Sequence, residues 1–373
     1  MASVYGIVTS SAPYMKVEGM QDYRPIGAFS FIGRYRTIDF PISNMSNSNI
    51  DRIHVYMGNS PRSLAEHLGS GRTYNINSKR GKLQMLFPSD KSVNDIYRTD
   101  ISAFVENIEI IERMREEYVV IAPSYMVYVE DFGKLLDQHI ESGADITLLY
   151  HAVNKANESF VNCDTLTLNR QGGVDCIDRN LGNASDKNIF MDTYIMKNEI
   201  FLKLITAAQK ESSMFTLADI TDVACKQKIL DIRGIPHKGY FAALTDFKSY
   251  YDANVDLIDY KAAADLFRPD WTIYTRTTDS CPTKYFEGAS VKHSMISNGC
   301  LVEGDVENSV IGRGVHIGKG AVVKDCVVLS YAEIGENVHV EGQVVDKWAK
   351  IVHEREIVAD PATPGYIRRN DRL

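Results

Sequence analysis

A six-residue repeat runs through the last third of the chain and limits the possible folds more than any other feature. From Ile296 onward, an aliphatic residue opens each hexad and a small or β-branched residue stands fifth, as Ile311 and Val315 illustrate. This period predicts a parallel β-helix, because three hexads complete one triangular coil whose aliphatic residues fill the interior. We therefore expect a β-helix, with a C-terminal tail, over residues 281–373.

The first two-thirds of the chain alternates short apolar runs with helical patterns. The segment Ile101–Glu117, for example, places its apolar residues on one helix face. This alternation predicts an α/β sandwich on a mostly parallel sheet over residues 1–258, with ligands beyond the carboxyl ends of the strands. A helical linker is expected over 259–280, with Tyr260–Asp270 helical as far as its proline. The four predicted strands are Ser3–Val8, Ile53–Met57, Tyr118–Ile121 and Ile146–His151.

Composition excludes several functional classes. The formal net charge is −8 over 373 residues, so the chain has no general attraction for nucleic acid or anionic lipid. It contains no apolar run of about 18 residues and no signal peptide at its start, so we expect a cytoplasmic protein without membrane contact. The six cysteines are scattered and form no CxxC pair, which predicts reduced thiols and no zinc site.

Several motifs resemble one enzyme family. They include Arg24-Pro25, the run Gly33–Arg36, Ile38-Asp39-Phe40, Gly239-Tyr240 and Pro282–Tyr285. The chain is similar in these to the ADP-glucose pyrophosphorylases (glucose-1-phosphate adenylyltransferases), and especially to the GlgD type, a companion subunit of the catalytic enzyme. The resemblance implies a GT-A-like (Rossmann-like) nucleotidyltransferase domain followed by a left-handed parallel β-helix, usually in a tetramer. It also implies a reaction that joins ATP to glucose 1-phosphate with the help of Mg²⁺.

The phosphate-binding loop of this family is altered. After the first predicted strand the family has a glycine-rich loop whose backbone N–H groups approach the nucleotide phosphates. Here the loop runs Thr9–Met15 and has no glycine between Gly6 and Gly19. Pro13 also removes one N–H donor. The arginine that ends the family's motif is absent, unless Lys16 takes its place.

The acids and the lysine that the reaction uses are also replaced. By the resemblance, Ser124 and Ala243 stand where two Mg²⁺-binding aspartates are expected, and Asp246 lies too far along the chain to compensate. The sugar-phosphate lysine is replaced within Asp178-Arg179. We therefore expect no tightly bound metal or cofactor and no catalysis by the chain alone. The alternative is a weak enzyme, or a sugar-phosphate nucleotidyltransferase with rearranged ligands.

Basic residues suggest what still binds. Arg24, Arg34 and Arg36 lie within thirteen residues of each other, and guanidinium groups suit phosphate. By the resemblance, Arg34 and Arg36 match the segment near which phosphorylated effectors act in the family. The structural alternative is that Arg36 pairs with Asp39 or with a neighbouring subunit. Arg98 matches a residue that lines the family's nucleotide pocket, which makes an anion contact conceivable, but a structural role for this segment is favoured. Arg368-Arg369 in the tail either joins the effector site or is solvated.

The catalytic residues of the family are replaced, whereas its scaffold motifs and basic segment are kept. This pattern favours a regulatory subunit of glycogen synthesis. The expected partners are a catalytic ADP-glucose pyrophosphorylase subunit and a phosphorylated sugar effector, in a homo- or hetero-tetramer. Such a subunit changes its partner's rate or effector response by favouring one conformation. A metabolite sensor that uses the vestigial pocket is a third possibility. The histidines of the repeat are expected to be surface residues rather than acyltransferase bases: His293, His316, His339 and His353.

Overall fold

The computed structural model describes residues 2–10, 17, 19–88 and 99–373. The α/β part has thirteen strands and nine α-helices among these residues. The strands are β1 (Val4–Thr9), β2 (Ser30–Phe31), β3 (Tyr35–Arg36), β4 (Ile53–Tyr56), β5 (Leu83–Leu86), β6 (Tyr118–Pro123), β7 (Met126–Tyr128), β8 (Ile146–Val153), β9 (Asp164–Leu168), β10 (Val174–Arg179), β11 (Lys187–Lys197), β12 (Ile232–Pro236) and β13 (Phe241–Ala243). The helices are α1 (Asp39–Asn47), α2 (Arg62–Leu68), α3 (Asp100–Glu106), α4 (Ile108–Glu112), α5 (Phe132–Ser142), α6 (Asn198–Glu211), α7 (Leu217–Gln227), α8 (Phe247–Asp256) and α9 (Tyr260–Leu266).

One nine-stranded sheet organises this part, in the order β10-β9-β11-β6-β1-β4-β5, with β8 paired to β11 and β12 to β8. The strands β6, β1, β4 and β5 run parallel, as do β8 and β12. The long strand β11 is antiparallel to β6 and β8, and β9 and β10 form an antiparallel hairpin. The sheet is therefore mixed, whereas the sequence predicted a mostly parallel one. Strand–helix alternation cannot reveal that β11 reverses direction beside β6.

The four predicted strands are present, with ends that differ by one or two residues from the prediction. The helix predicted over 101–117 is wrong as a single element. The chain leaves helical geometry at Asn107, with φ −116°, and its side chain donates to the carbonyl of Ala103, so α3 and α4 are separate. An asparagine that bonds its own backbone competes with the helical hydrogen-bond pattern. The linker helix α9 ends at Leu266, three residues before the proline.

The C-terminal part is a left-handed parallel β-helix, as expected from the repeat for the β-helix and from the resemblance for its handedness. Three five-stranded parallel sheets form its faces, in the orders β14-β17-β20-β23-β26, β15-β18-β21-β24-β27 and β16-β19-β22-β25-β28. Aliphatic hexad residues such as Val306, Ile311 and Val323 fill the interior and are almost fully buried. The strands are β14 (Lys284–Tyr285), β15 (Ser290–Lys292), β16 (Met295–Ile296), β17 (Leu301–Val302), β18 (Asp305–Glu307), β19 (Val310–Ile311), β20 (His316–Ile317), β21 (Val322–Lys324), β22 (Val327–Val328), β23 (Glu333–Ile334), β24 (His339–Glu341), β25 (Gln343–Val345), β26 (Lys350–Ile351), β27 (Glu356–Val358) and β28 (Gly365–Ile367).

The two parts share a hydrophobic core. Val327 and Val344 on the face formed by β16, β19, β22, β25 and β28 belong to the same cluster of buried residues as α1 and β7 of the α/β part. The hairpin between β2 and β3 also touches the β-helix at Gly33, which has φ 64°. A Cβ atom there would lie 2.8 Å from the carbonyl oxygen of Ile311, so only glycine fits this contact. The arginine-rich segment is therefore held between the two parts.

Among the described residues, no helix is long and apolar enough to cross a membrane. The six cysteines, all within the described ranges, are free thiols. Within the same ranges, no group of three or more His, Cys, Asp or Glu side chains is arranged to hold a metal ion. Of the four histidines in the repeat, His293 and His353 are exposed, and His316 and His339 are partly exposed.

Candidate functional site

The two positions where metal-binding aspartates were expected lie side by side beyond the carboxyl end of β6. Ser124 follows β6, and its N–H donates to the carbonyl of Thr9 at the end of β1. Ala243 ends β13, which pairs with β7 so that Ala243 faces Met126. The N–H of Leu244 donates to the carbonyl of Tyr125 and ties the two segments together. The fold thus brings Ser124 and Ala243 to one place, but neither residue offers a carboxylate.

Ser124 has a packing role at this place. It is fully buried, and its hydroxyl donates to the carbonyl of Ser10 over 3.0 Å. A Cβ atom on Gly27 would lie 3.2 Å from the Ser124 hydroxyl oxygen, so Ser124 packs against a position where a side chain would be tight. Asp246 does not replace the missing acids, because its carboxylate accepts from the N–H of Ser249 over 2.7 Å and caps α8.

Partly buried acids lie close to these positions, in a set that we call the acidic cluster (Asp100, Asp164 and Asp192). Asp192 occupies an irregularity in β11 with φ 45°, and its carboxylate accepts from the Tyr125 hydroxyl over 3.1 Å. Burial, reinforced by the charges of Asp100 and Asp164, raises the pKa of Asp192 to about 8. Burial also raises the pKa of Asp100 to about 6 and that of Asp164 above its usual value. Such a cluster shifts its acids toward their neutral form and supplies no positive charge to a phosphate group.

The segment expected to hold the sugar phosphate has its charges engaged within the fold. Arg179 lies 3.3 Å from Asp164 across the β9–β10 hairpin. Asp178 is exposed and accepts from the Cys176 thiol. Asn180 is buried, and its amide donates to the carbonyls of Ala156 and Phe160. The Asp178 and Arg179 positions are thus part of a hairpin that is stabilised internally.

Two sequence predictions fall wholly or partly outside the described residues. Arg98 lies there, as does the altered phosphate loop from Ser11 to Lys16. Asp100, which follows the Arg98 segment, is described and has a structural contact. Its carboxylate accepts from the N–H of Leu217 over 3.1 Å at the start of α7, where a negative charge is favourable.

Arg24 and the β-helix form a buried ion pair. The Arg24 guanidinium donates to Asp346 in the turn that follows β25, and both side chains are almost fully buried. The Tyr366 hydroxyl donates to the same carboxylate over 2.7 Å. The Nε atom of Arg24 is buried and has no hydrogen-bond partner among the described residues. Arg24 thus links the α/β part to the β-helix with one donor still unused.

Arg36 lies at the same junction. Its guanidinium donates to the carbonyl of Ser63 over 2.5 Å, and its backbone N–H donates to Asp39 over 2.8 Å. The other Asp39 oxygen lies 2.6 Å from both the His67 imidazole and the Tyr74 hydroxyl, so Asp39 is already well supplied with partners. Burial, partly offset by Asp39, lowers the pKa of Arg36 to about 10. The described contacts of the Arg36 side chain are therefore not an ion pair with Asp39.

Two more cations join Arg24 and Arg36, and we call the set the basic seam (Arg24, Arg36, Lys347 and Arg369). Burial lowers the pKa of Lys347 to about 7, and the charges of Arg36, Arg24 and Arg369 lower it further while Asp346 opposes them. Arg369 belongs to the C-terminal tail, one residue of the pair that the sequence singled out. Four cations thus meet where the nearest acids are already engaged, which is an arrangement suited to a bound anion.

Arg34 faces a different neighbour. With Arg313 it lines a cavity of about 580 Å³ between the β2–β3 hairpin and the first coils of the β-helix. Thr278, Ser297 and Asn298 add polar groups to its wall. Burial and the charge of Arg34 lower the pKa of Arg313, whose guanidinium donates to the Thr278 hydroxyl over 2.6 Å. The three arginines of the sequence motif therefore serve two adjacent places.

Sequence reasoning missed Asp192, Lys347 and Arg313. No motif marks them, and the partners Arg24 and Asp346 are 322 residues apart in the chain. The only sequence signal for Asp192 is that it is a single acid within the mostly apolar run Phe190–Met196. For Lys347 and Arg313, no spacing in the sequence indicates that the β-helix folds against Arg34 and Arg36.

Comparison with known proteins agrees with this architecture. The family model described as "Nucleotidyl transferase" matches residues 23–162, and that described as "GlmU-like, C-terminal hexapeptide" matches residues 282–365. The fold and these two matches define a nucleotidyltransferase-type α/β domain joined to a hexapeptide-repeat β-helix.

Individual relatives narrow this class. A glycogen biosynthesis protein GlgD from Geobacillus stearothermophilus is 32% identical over 320 residues, which is 85% of this chain and 82% of the relative. A glucose-1-phosphate adenylyltransferase from Clostridium perfringens is 32% identical over 82% of this chain and 78% of its own length. The GlgD protein of Bacillus subtilis is 28% identical over 98% of this chain and 95% of its own length. The chain therefore belongs to the family of the glucose-1-phosphate adenylyltransferases and the GlgD-type glycogen biosynthesis proteins.

Proposed function

We propose that this chain is a non-catalytic regulatory subunit that acts in cytoplasmic glycogen synthesis. In this proposal it binds a catalytic glucose-1-phosphate adenylyltransferase, within a homo- or hetero-tetramer, and changes that enzyme's rate or effector response. Similarity to glycogen biosynthesis proteins supports the pathway. A regulatory subunit acts through a coupling free energy, typically about 1–3 kcal/mol, between its own contacts and the partner's active conformation.

The pairing of Ser124 with Ala243 is the observation that carries the proposal. Transfer of a nucleotidyl group depends on Mg²⁺ to neutralise phosphate charge, and Mg²⁺ needs carboxylate ligands at fixed positions. The fold brings these two residues together beyond the end of β6, and both lack a carboxylate. The acidic cluster nearby offers no positive charge to the phosphates of ATP and glucose 1-phosphate, and Asp192, with a pKa of about 8, is itself largely protonated at neutral pH. The described residues thus favour the loss of catalysis.

The basic seam supports the effector part of the proposal. Its four cations lie between the α/β part and the β-helix, so an anion bound there would contact both at once. Because a phosphorylated sugar carries clustered negative charge, it suits several guanidinium groups. A ligand at this junction can favour one relative arrangement of the two parts, which is how a bound effector alters a partner.

A mixing assay tests the proposal. The purified chain is incubated with ATP, Mg²⁺ and glucose 1-phosphate, and ADP-glucose formation is measured with and without the adenylyltransferase of the same source. We expect no turnover from the chain alone and a changed kcat or effector response of the partner on mixing. Turnover by the chain alone at a rate comparable to the partner's would overturn the proposal. So would a partner whose kinetics do not change at any ratio of the two chains.

Two measurements distinguish the proposed regulatory subunit from the alternative, a weak enzyme with rearranged ligands. Calorimetric titration of the chain with ATP is repeated with and without Mg²⁺, and Mg²⁺-dependent binding would favour the enzyme. The variant Ser124→Asp/Ala243→Asp restores the two carboxylates. We expect partial recovery at best, because the loop after β1 still has no glycine between Gly6 and Gly19 that would let its backbone approach the phosphates. The variant Ser124→Asn/Ala243→Asn is its uncharged control.

A further inference from the structure

Two aromatic side chains lie stacked on the surface of the β-helix, and we call them the aromatic pair (Tyr331 and Trp348). Their ring centroids are 4.4 Å apart, and the ring planes differ by 14°. Each ring therefore covers one face of the other. Even so, Tyr331 is 45% exposed and Trp348 is 49% exposed. The fold thus leaves about half of each side chain in contact with water.

The aromatic pair occupies a backbone position that suits glycine. Both residues stand at the same corner of the β-helix, two residues before β23 and β26, and their φ values are 64° and 65°. One coil earlier the same corner holds Gly314, with φ 65°, and after Trp348 it holds Asn370, with φ 64°. Glycine and asparagine adopt this left-handed conformation readily, whereas tyrosine and tryptophan rarely do.

Stacking does not by itself explain why aromatic residues stand at this corner. The left-handed backbone is costly for a residue with a Cβ atom, and the cost at two residues exceeds what one stacked pair of rings returns. The exposed halves of the rings add nothing to the core. Residues in sparsely populated backbone conformations cluster where a protein binds a ligand. The corner therefore has the features of a binding surface.

Hydrogen-bonding side chains border the aromatic pair, and we call them the polar rim (Glu333, Lys350 and Asn370). Glu333 and Lys350 stand two residues after the rings in the same two coils and form a partly exposed ion pair. Asn370 follows Trp348 at the corner and is exposed. Because Tyr331 covers one face of Trp348, the exposed half of Trp348 consists of its other face and its edge. An apolar ring surface is thus bordered by carboxylate, ammonium and amide groups.

We propose that the aromatic pair and the polar rim bind a glucan chain. A pyranose ring presents C–H groups on its face and hydroxyl groups around its edge. Its face suits the electron-rich face of an indole, and its edge suits amide, carboxylate and ammonium groups. A nucleobase also stacks on indole, but Lys350 is already paired with Glu333 and is not free for the phosphates of a nucleotide. The corner is open and convex, which suits a chain of linked sugars that continues beyond the rings.

The site and its polar rim indicate the pyranose class, whereas the choice of an α-1,4-linked chain rests on the proposed function in glycogen synthesis. The two proposals can fail separately. Titration of the chain alone with a glucan tests the site. The mixing assay contains no glucan and tests the regulatory function.

Calorimetric titration of the full chain with maltoheptaose tests the proposal, and we expect a dissociation constant of about 1 mM. Trp348→Gly should bind at least about tenfold more weakly, because truncation of a tryptophan at the centre of a binding surface has effects of this size. Glycine suits the φ of 65° at this position, as it does at Gly314, so the backbone is preserved. The control is Tyr260→Ala, which removes a ring that is 83% exposed elsewhere on the surface. This control should bind like the natural chain.

Tryptophan fluorescence gives a second measurement that does not depend on Trp348→Gly. The chain has two tryptophans, and the other one, Trp271, is partly buried and donates its indole N–H to Asn44. Maltoheptaose should therefore shift the emission of the natural chain to shorter wavelength through Trp348. Trp348→Phe keeps a ring and should bind within about threefold of the natural chain, but without this shift.

Three results would overturn the proposal. They are no binding of maltoheptaose up to about 20 mM, equal affinity of the natural chain and Trp348→Gly, and no emission shift in the natural chain. ADP and cellohexaose, a β-1,4-linked glucan, are titrated in parallel. Tighter binding of ADP than of maltoheptaose at Trp348 would assign the rings to a nucleotide instead. Equal binding of the two glucans would overturn the assignment of an α-1,4 linkage.

Discussion

The acidic cluster and the basic seam lie in one chain and differ in the charge that they offer to a ligand. Near Ser124 and Ala243, the carboxylates are those of Asp100, Asp164 and Asp192, and burial raises the pKa of each. At the junction with the β-helix, Arg24 pairs with Asp346, and the charges of Arg36, Arg24 and Arg369 act on Lys347. The first place offers no positive charge to a phosphate group, whereas the second offers several. Under the proposed function, anion recognition would therefore lie apart from the place where Ser124 and Ala243 meet.

The comparison shows that the fold is kept although Ser124 and Ala243 offer no carboxylate. Ser124 and Ala243 fill their places by packing, and their neighbours Tyr125 and Asp192 are joined by a hydrogen bond. The seam, in contrast, depends on residues from both parts of the chain. Variants that act on one region and spare the other can therefore test whether the two are independent.

The largest effect is expected at the seam, for Arg24→Met. It leaves the Asp346 carboxylate buried without its guanidinium partner, and removal of one member of a buried ion pair costs about 3–5 kcal/mol. Urea unfolding should show this loss in the free energy of unfolding. Arg62→Met is the control, because Arg62 pairs with Glu66 at a site where its side chain is 92% exposed. That control should change stability by less than about 0.5 kcal/mol. Equal losses of stability in the two variants would show that the buried ion pair between Arg24 and Asp346 does not stabilise the fold.

The next effect concerns the acidic cluster and depends on pH. In the folded chain the pKa of Asp192 is about 8, well above the value of about 4 for an unfolded aspartate. The folded state therefore holds a proton that the unfolded state has lost, and stability falls as pH rises from about 4 to about 8. Asp192→Asn removes this titration and suits the φ of 45° at that position.

We expect Asp192→Asn to be more stable than the natural chain by about 1–3 kcal/mol at pH 8, with the difference shrinking toward pH 5. Chemical unfolding across this pH range measures it. Asp186→Asn makes the same change at an exposed site and should follow the natural pH curve. A difference for Asp192→Asn that stays constant with pH would show that the proton on Asp192 does not matter.

The repeat and the acidic cluster show what the sequence could and could not predict. The β-helix could be predicted from the hexads, because its interior accepts only small and aliphatic residues and these therefore recur in the sequence with the period of the coil. The positions of Ser124 and Ala243 followed from motifs beside strands. Asp192 could not be found in this way, because its role depends on a left-handed backbone position and on carboxylates from α3 and β9. Lys347 joins Arg36 only once the β-helix has packed on the α/β part.

A smaller effect is expected on effector binding. Its size in two variants shows whether the effector binds at the basic seam or in the cavity beside it. Calorimetric titration with a sugar bisphosphate should show an affinity at least about tenfold weaker for Arg36→Ala, because a charge-assisted hydrogen bond contributes about 1.5–3 kcal/mol. Arg34→Ala should cost less than about threefold, since the charges that act on Lys347 include that of Arg36 and not that of Arg34. Thermal melts check that both variants fold. If Arg34→Ala causes the larger loss, the phosphate lies in the cavity lined by Arg34 and Arg313.

The smallest effect is the pH dependence of that binding. Lys347 has a pKa of about 7 because burial and the neighbouring arginines disfavour its charge, so it is largely protonated at pH 6 and largely neutral at pH 8. Since only the protonated amine attracts phosphate, we expect Lys347 to strengthen binding more at pH 6 than at pH 8, by about three- to tenfold. The phosphate groups titrate near the same pH, with a second pKa of about 6. The ratio of affinities between the natural chain and Lys347→Gln at each pH cancels that contribution. A ratio that does not vary from pH 6 to 8 would mean that Lys347 is not in contact with the bound anion.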